Sequence, residues 1–177
     1  LQSDNKLGMF IAITLIALAV VSRIMPHPAN FAPIAAIALF GGAILPRKLA
    51  ITVPLSAMII SDLLIGLHPT IMFTWGSFAL IALFSSAKFK HITPLAVIGS
   101  SLGASVFFYL VTNFGVWAEG RLYAYTFSGL AQSYYNALPF FRNTLLGDVV
   151  FTSALFGLYA TSQYLAKVQL RTKSLAK

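Results

Sequence analysis

Apolar residues run along this chain in six long blocks, Leu7–Ile24, Asn30–Leu45, Leu49–Leu67, Thr70–Ala87, Ile92–Val111 and Asn143–Ala166. None of the blocks alternates with period two, so the strands of a membrane barrel are excluded and helices remain. Most of them approach the roughly 20 residues that a helix needs to cross the hydrocarbon core of a bilayer. In that medium a backbone N–H or C=O must find its partner within its own segment, which again selects helix. The pattern predicts an all-α fold, a polytopic membrane protein built as a bundle of six transmembrane helices. The 177 residues leave no room for a separate soluble domain, so residues 1–177 read as a single transmembrane domain.

Two connections break the rhythm. Between the first two blocks lies Pro26-His27-Pro28-Ala29-Asn30-Phe31-Ala32-Pro33, where three prolines forbid regular helix and Asn30 is a potential cap for the second helix. The other, Thr112 to Arg142, is about 30 residues long, too long for a passive turn in so small a protein. Phe127, Leu130, Ala131, Tyr134 and Leu138 share one helical face within it, which predicts a short amphipathic helix lying on the outer surface as a lid.

Charge sets the orientation. Twelve Lys and Arg face four Asp and Glu, a formal net charge of +8. With six spans, Lys6, Arg47, Lys48, Lys88, Lys90, Lys167, Arg171, Lys173 and Lys177 share the side of the two termini, and only Arg23, Arg121 and Arg142 fall on the other. The positive-inside rule then places both termini in the cytoplasm. The excess of cations is thereby a topology signal and a contact with the lipid bilayer, and no nucleic-acid partner is expected. Leu7–Ile24 reads as a retained span, since its apolar run is long and no small-x-small cleavage site precedes Pro26. Composition agrees: 58% of residues are hydrophobic, 9% are charged, and mean hydropathy is +0.84.

With no cysteine, the chain has no disulfide, thiolate ligand or thiol nucleophile. It also lacks the HExxH, P-loop and nucleophile-elbow signatures, so catalysis and cofactor chemistry are not expected, and any pumping would draw on a partner or a gradient. Polar residues gather in the outer half instead, among them three of the four acids, Asp62, Glu119 and Asp148. Charges at membrane depth are costly and need partners. Arg23 and Arg142 are the available cations, and a set of structural ion pairs formed by Arg23, Arg142 and Asp148 is weighed equally with a ligand role for the acids. His27, His68 and Asp62 share that side, but their spacing supplies none of the usual local ligand pairings, so no metal site is expected.

Trp117, Tyr123, Tyr125, Tyr134, Tyr135, Phe140 and Phe141 crowd the long connection, more aromatics than interfacial anchoring needs. A concave site of aromatics with a few polar groups suits a flat, partly apolar small-molecule ligand. The predicted lining is Asn30, Asp62, Asn113, Trp117, Tyr134 and Asn143. Small residues at helical spacing, Gly99 with Gly103, Ala32 with Ala36, and Ala38 with Gly42, predict close helix contacts within the bundle.

The segments Arg23-Ile-Met-Pro-His-Pro-Ala-Asn-Phe31, Ala36-Ile-Ala-Leu-Phe-Gly-Gly-Ala43, Ser61-Asp62, Thr112-Asn-Phe-Gly-Val-Trp117 and Pro139-Phe-Phe-Arg-Asn-Thr-Leu-Leu-Gly-Asp148 resemble an uncharacterised family of small bacterial six-helix membrane proteins. That family is similar in size and layout to the substrate-binding S components of energy-coupling-factor (ECF) vitamin transporters. The resemblance implies a bacterial inner-membrane location and uptake of a vitamin or vitamin precursor bound near the outer face, with an energising membrane module as partner. One departure is visible: Ala12, Ala17 and Ala19 do not give the AxxxA docking spacing that many S components carry in the first helix, which a solitary carrier would explain. The competing expectation is a non-transporting accessory subunit of a larger membrane complex; a metal-ion permease would require His27, His68 and Asp62 to converge.

Overall fold

A computed structural model describes residues 2–88 and 92–175; Lys90 and Lys177, counted in the charge asymmetry, lie outside them. The described residues form six helices and no strand: α1 (Gln2–Ile24), α2 (Ile34–Ile44), α3 (Arg47–Ile65), α4 (Ile71–Lys88), α5 (Pro94–Ala118) and α6 (Phe127–Leu175). Helices α1, α3, α5 and α6 each contain a stretch long and apolar enough to cross a membrane, which marks the chain as a membrane protein. Large apolar side chains such as Phe10, Leu63, Met72 and Leu95 are exposed on the bundle surface, as lipid-facing positions would be. Two ends can be distinguished. The proline end carries the 25–33 and 66–70 connections and the α5–α6 turn; the basic end carries the start of α1, the α2–α3 corner, the start of α5 and the end of α6.

Helix α2 is the axis of the bundle. All of its residues from Ile34 to Gly42 are buried, and it packs against each of the other five helices. It is also short. Eleven residues at 1.5 Å each span roughly 16 Å, about half the hydrocarbon thickness. The prolines are the cause at its start: the chain stays irregular through Pro26, Pro28 and Pro33, and Asn30 sits in the left-handed region at φ 63° instead of capping the helix. At the other end, Leu45 and Pro46 turn the chain directly into α3.

The small-residue pairs divide. Gly42 lets α2 approach α4 so closely that a Cβ there would lie 2.5 Å from the Ser85 Cβ and 2.6 Å from the Ala82 carbonyl oxygen. The Ser85 hydroxyl seals this crossing by donating to the Leu39 carbonyl at 2.6 Å. Gly99 and Gly103, by contrast, have open space above them among the described residues, so the close approach seen at Gly42 is not repeated there.

The long connection differs from the sequence expectation. Helix α5 runs on to Ala118, and the expected surface helix is the first part of α6, continuous with the last span through Pro139. Proline fixes φ near the helical value, and the hydrogen bond it removes is tolerable where α6 lies along α5. Only residues 119–126 remain as a strap joining the two. At 49 residues α6 is roughly 74 Å long, more than twice the hydrocarbon thickness, and residues 160–169 near its far end are exposed.

Candidate functional site

Because α2 begins only at Ile34, the bundle axis above it is unfilled, and a cavity of about 530 Å³ occupies that space at the proline end. Ala32, Ile34 and Ala35 stand at its base. On α5 the wall is made by Phe108, Tyr109, Thr112, Asn113 and Val116, and on α6 by Ala137, Phe140, Phe141, Thr144 and Asp148. Both sets recur at three- and four-residue spacing, one stripe from each helix. Helices α1, α3 and α4 add Arg23, Met58 and Phe78, and the strap adds Leu122 and Tyr123 near the mouth. Two ring pairs stiffen the wall: Phe78 stacks on Phe108 at 4.8 Å, and Tyr109 lies on Phe141 at 4.4 Å.

The strap is held by its own chemistry. Gly120 takes φ +66°, and the Tyr125 ring lies where its Cβ would be, 2.3 Å away. The Trp117 indole donates to the Ala124 carbonyl at 3.0 Å, and the Tyr125 hydroxyl donates to the Ala118 carbonyl at 3.0 Å. The side-chain amide of Asn136 on α6 donates to the Tyr123 hydroxyl at 3.2 Å. Opposite, the Asn143 amide donates to the Ala29 carbonyl at 3.0 Å, and Phe31 packs on Phe151 at 5.3 Å, which fixes the proline-rich connection against α6.

Of the residues expected to line the site, Asn30 and Asn113 do so. The other four stand behind the wall. Asp62 is 1% exposed and holds Arg23; Trp117 braces the strap; Tyr134 donates to the Leu110 carbonyl at 2.9 Å and receives the Tyr109 hydroxyl on its own carbonyl at 2.7 Å; Asn143 clamps the entry loop. Their positions follow from helical phase. Tyr134 and Asn143 lie on α6 off the stripe that runs from Ala137 to Asp148, a common phase invisible while the two were read on a separate surface helix and a separate span. Phe141 was counted among the aromatics of the connection, while Tyr109 and Thr144, inside predicted spans, join the wall through their spacing along α5 and α6.

The buried charges are distributed unequally. Arg23 pairs with Asp62, Nη2 to Oδ1 at 2.7 Å, and its Nη1 donates to the Ser61 hydroxyl at 2.7 Å. The Trp75 indole N–H donates to the other Asp62 oxygen at 2.7 Å. This ties α1, α3 and α4 together at the proline end. His68 stands 3.7 Å from Asp62 and meets the Thr70 hydroxyl at 3.0 Å, while His27 is exposed at the mouth. Among the described residues no group of three His, Cys, Asp or Glu side chains is placed to hold a metal ion.

Asp148 does not pair with Arg142. The two are six positions apart on α6, which rotates them roughly 120° from one another about the helix axis. Arg142 is exposed and makes no ion pair among the described residues, whereas Asp148 is 3% exposed and accepts a hydrogen bond from the Ser105 hydroxyl at 2.6 Å.

One family model matches residues 3–170, and its description is a family of unknown function. No curated protein and no solved structure matches the chain.

Proposed function

Since the chain belongs to that family, DUF6580, whose description assigns no activity, we propose a function from the cavity: a small-molecule uptake carrier that holds a vitamin-sized, partly aromatic ligand. The observation that carries this reading is the cavity above α2, about 530 Å³ and lined by aromatic rings with a few polar groups. Small-molecule sites commonly enclose roughly 300–1,000 Å³ in such surroundings. The six-helix layout, the position of the cavity at one end and the strap across its mouth support a carrier of the S-component type, working with an energising membrane module or alone. No catalytic step belongs to this reading.

Gentle purification followed by native mass spectrometry, with a thermal-shift screen of vitamins and their precursors, tests it. A bound ligand at a hundred times its dissociation constant should stabilise the protein by about 2.7 kcal/mol. Thr112→Trp, which places an indole in the cavity, should abolish that gain while leaving the protein folded. Absence of any co-purified or stabilising compound would count against the carrier.

The carrier reading also requires the cavity to face outward and both termini to lie in the cytoplasm of a bacterial inner membrane, as the distribution of cations implies. The chain has no cysteine, and Ser128 and Thr172 are exposed near opposite ends of α6. In intact cells a membrane-impermeant thiol reagent should label Ser128→Cys and spare Thr172→Cys. The reverse pattern would turn the cavity toward the cytoplasm and end the uptake reading.

A second reading has its own observation. The open Gly99–Gly103 face suits close approach of another transmembrane helix, as in an accessory subunit of a larger complex. Stoichiometric recovery of unrelated membrane subunits, in place of the protein alone or with an ATPase module, would favour it.

A further inference from the structure

We propose that Asp148 is the recognition group for a cationic nitrogen, so that the cavity selects ring compounds bearing an amine or amidine over their neutral and acidic counterparts. The inference rests on the carrier reading in that it takes the cavity to hold a ligand, and it adds the charge that this ligand carries.

The charges around the cavity do not balance. Arg23 lines it, but its guanidinium is engaged by Asp62 and Ser61, so that pair contributes no net charge to the space. His68 is turned toward Thr70 and Asp62. Asp148 is the remaining buried ionisable side chain on the wall, and no cation stands within ion-pair distance of it among the described residues. Its Oδ2 receives the Ser105 hydroxyl, yet the same hydroxyl lies 3.0 Å from the Ser101 carbonyl, and one proton cannot fully serve both acceptors. Its Oδ1 has no hydrogen-bond partner among the described residues, and Asp148 lines the cavity. A carboxylate desolvated with one hydroxyl for company is costly, and an incoming cation would supply the missing partner.

Position and surroundings fit the same ligand. Asp148 lies eleven residues along α6 from Ala137, roughly 16 Å toward the interior, at the deep end of the wall. Phe108 and Tyr109 follow Ser105 by one helical turn, and Phe141 and Thr144 precede Asp148 by two turns and one. A flat ring seated against the Phe108 and Tyr109–Phe141 rings would carry a short aminoalkyl or amidine group down to the carboxylate, and those ring faces favour a cation as well. The uncapped first turn of α2 also stands at the base and would favour an anion, but an anion there would share the space with an unneutralised Asp148.

The test is a matched panel of one- and two-ring compounds, each offered as the amine, the alcohol and the carboxylic acid, with binding to the purified wild-type protein read by thermal shift and titration. Amines should bind at least tenfold more tightly than the alcohols of the same skeleton, with acids weakest. Asp148→Asn, which keeps the shape and an acceptor for Ser105, should abolish the preference for the amine over the alcohol; Asp148→Glu should retain it. Wild-type alcohols or acids binding as well as amines would overturn this inference and leave the cavity reading standing, and that comparison holds even if a variant fails to fold. An unchanged amine preference in folded Asp148→Asn would overturn it too. Binding by no member of the panel would overturn it together with the carrier reading.

Discussion

Arg23→Met should destabilise the purified protein by about 3–5 kcal/mol, the range for removing one partner of a buried ion pair. Asp62 is 1% exposed, and without the guanidinium its charge would be left with the Trp75 indole and a histidine 3.7 Å away. The cost comes from the stranded carboxylate more than from the lost attraction, so the double variant Arg23→Met, Asp62→Leu should recover much of the stability. The residual loss is an unpaired indole N–H, worth about 1–3 kcal/mol. Arg23→Lys should fall between, since an ammonium keeps the charge but not the fork that reaches Asp62 and Ser61 together. Thermal unfolding in a single detergent compares all three. If Arg23→Met melted with the wild type, the pair would not be what holds α1 to α3 at this end.

Gly42→Val should be nearly as damaging. Overpacking commonly costs about 1–3 kcal/mol, and here the upper part of the range applies because the obstacle is the Ala82 carbonyl oxygen, 2.6 Å from the new Cβ, as well as a side chain. Backbone cannot swing aside, so α2 and α4 must separate. Separation stretches the buried bond from the Ser85 hydroxyl to the Leu39 carbonyl, a further loss of about 1 kcal/mol. Gly76→Val on α4 is the control, since nothing lies within 4 Å of that position, and it should change stability little. The displaced α2 would carry Ile34 and Ala35 with it, so Gly42→Val should also weaken any ligand that binds in the cavity. Equal melting of the two glycine variants would show that the α2–α4 crossing is not tightly packed.

These two sites illustrate unequal legibility in the sequence. The helices were readable because lipid leaves the backbone one local solution: each apolar block closes its own hydrogen bonds, and its length and composition announce it. Arg23 was readable as a cation that needs an acid for a related reason, although Asp62, the partner it has in the structure, was expected on the ligand wall. Charges are so few at membrane depth that those at neighbouring helix ends have little choice of company. The axial role of α2 was half visible, in its three prolines and its alanines and glycines, but the pattern alone ran its block from Asn30 and made it a span.

Helical phase was beyond the pattern. Tyr134, Asn143 and Trp117 have the right chemistry for a ligand wall and sit at the right height, yet rotation about α5 and α6 turns them toward the strap, the entry loop and neighbouring backbone. Phase is set by how whole helices dock, and Pro139, which the pattern leaves between a surface helix and the last span, is absorbed within one helix. Asp148 was recognisable as a charge in need of a partner, but whether it would find a cation, a hydroxyl or a cavity depended on what α5 brought opposite. The sequence by itself determined the medium, the all-α class and the residues too polar to face lipid, because those follow from local free energies of transfer and hydrogen bonding. Only the tertiary structure decided where space is left over, since a void is a property of how helices of unequal length pack, and α2 begins short of its longer neighbours.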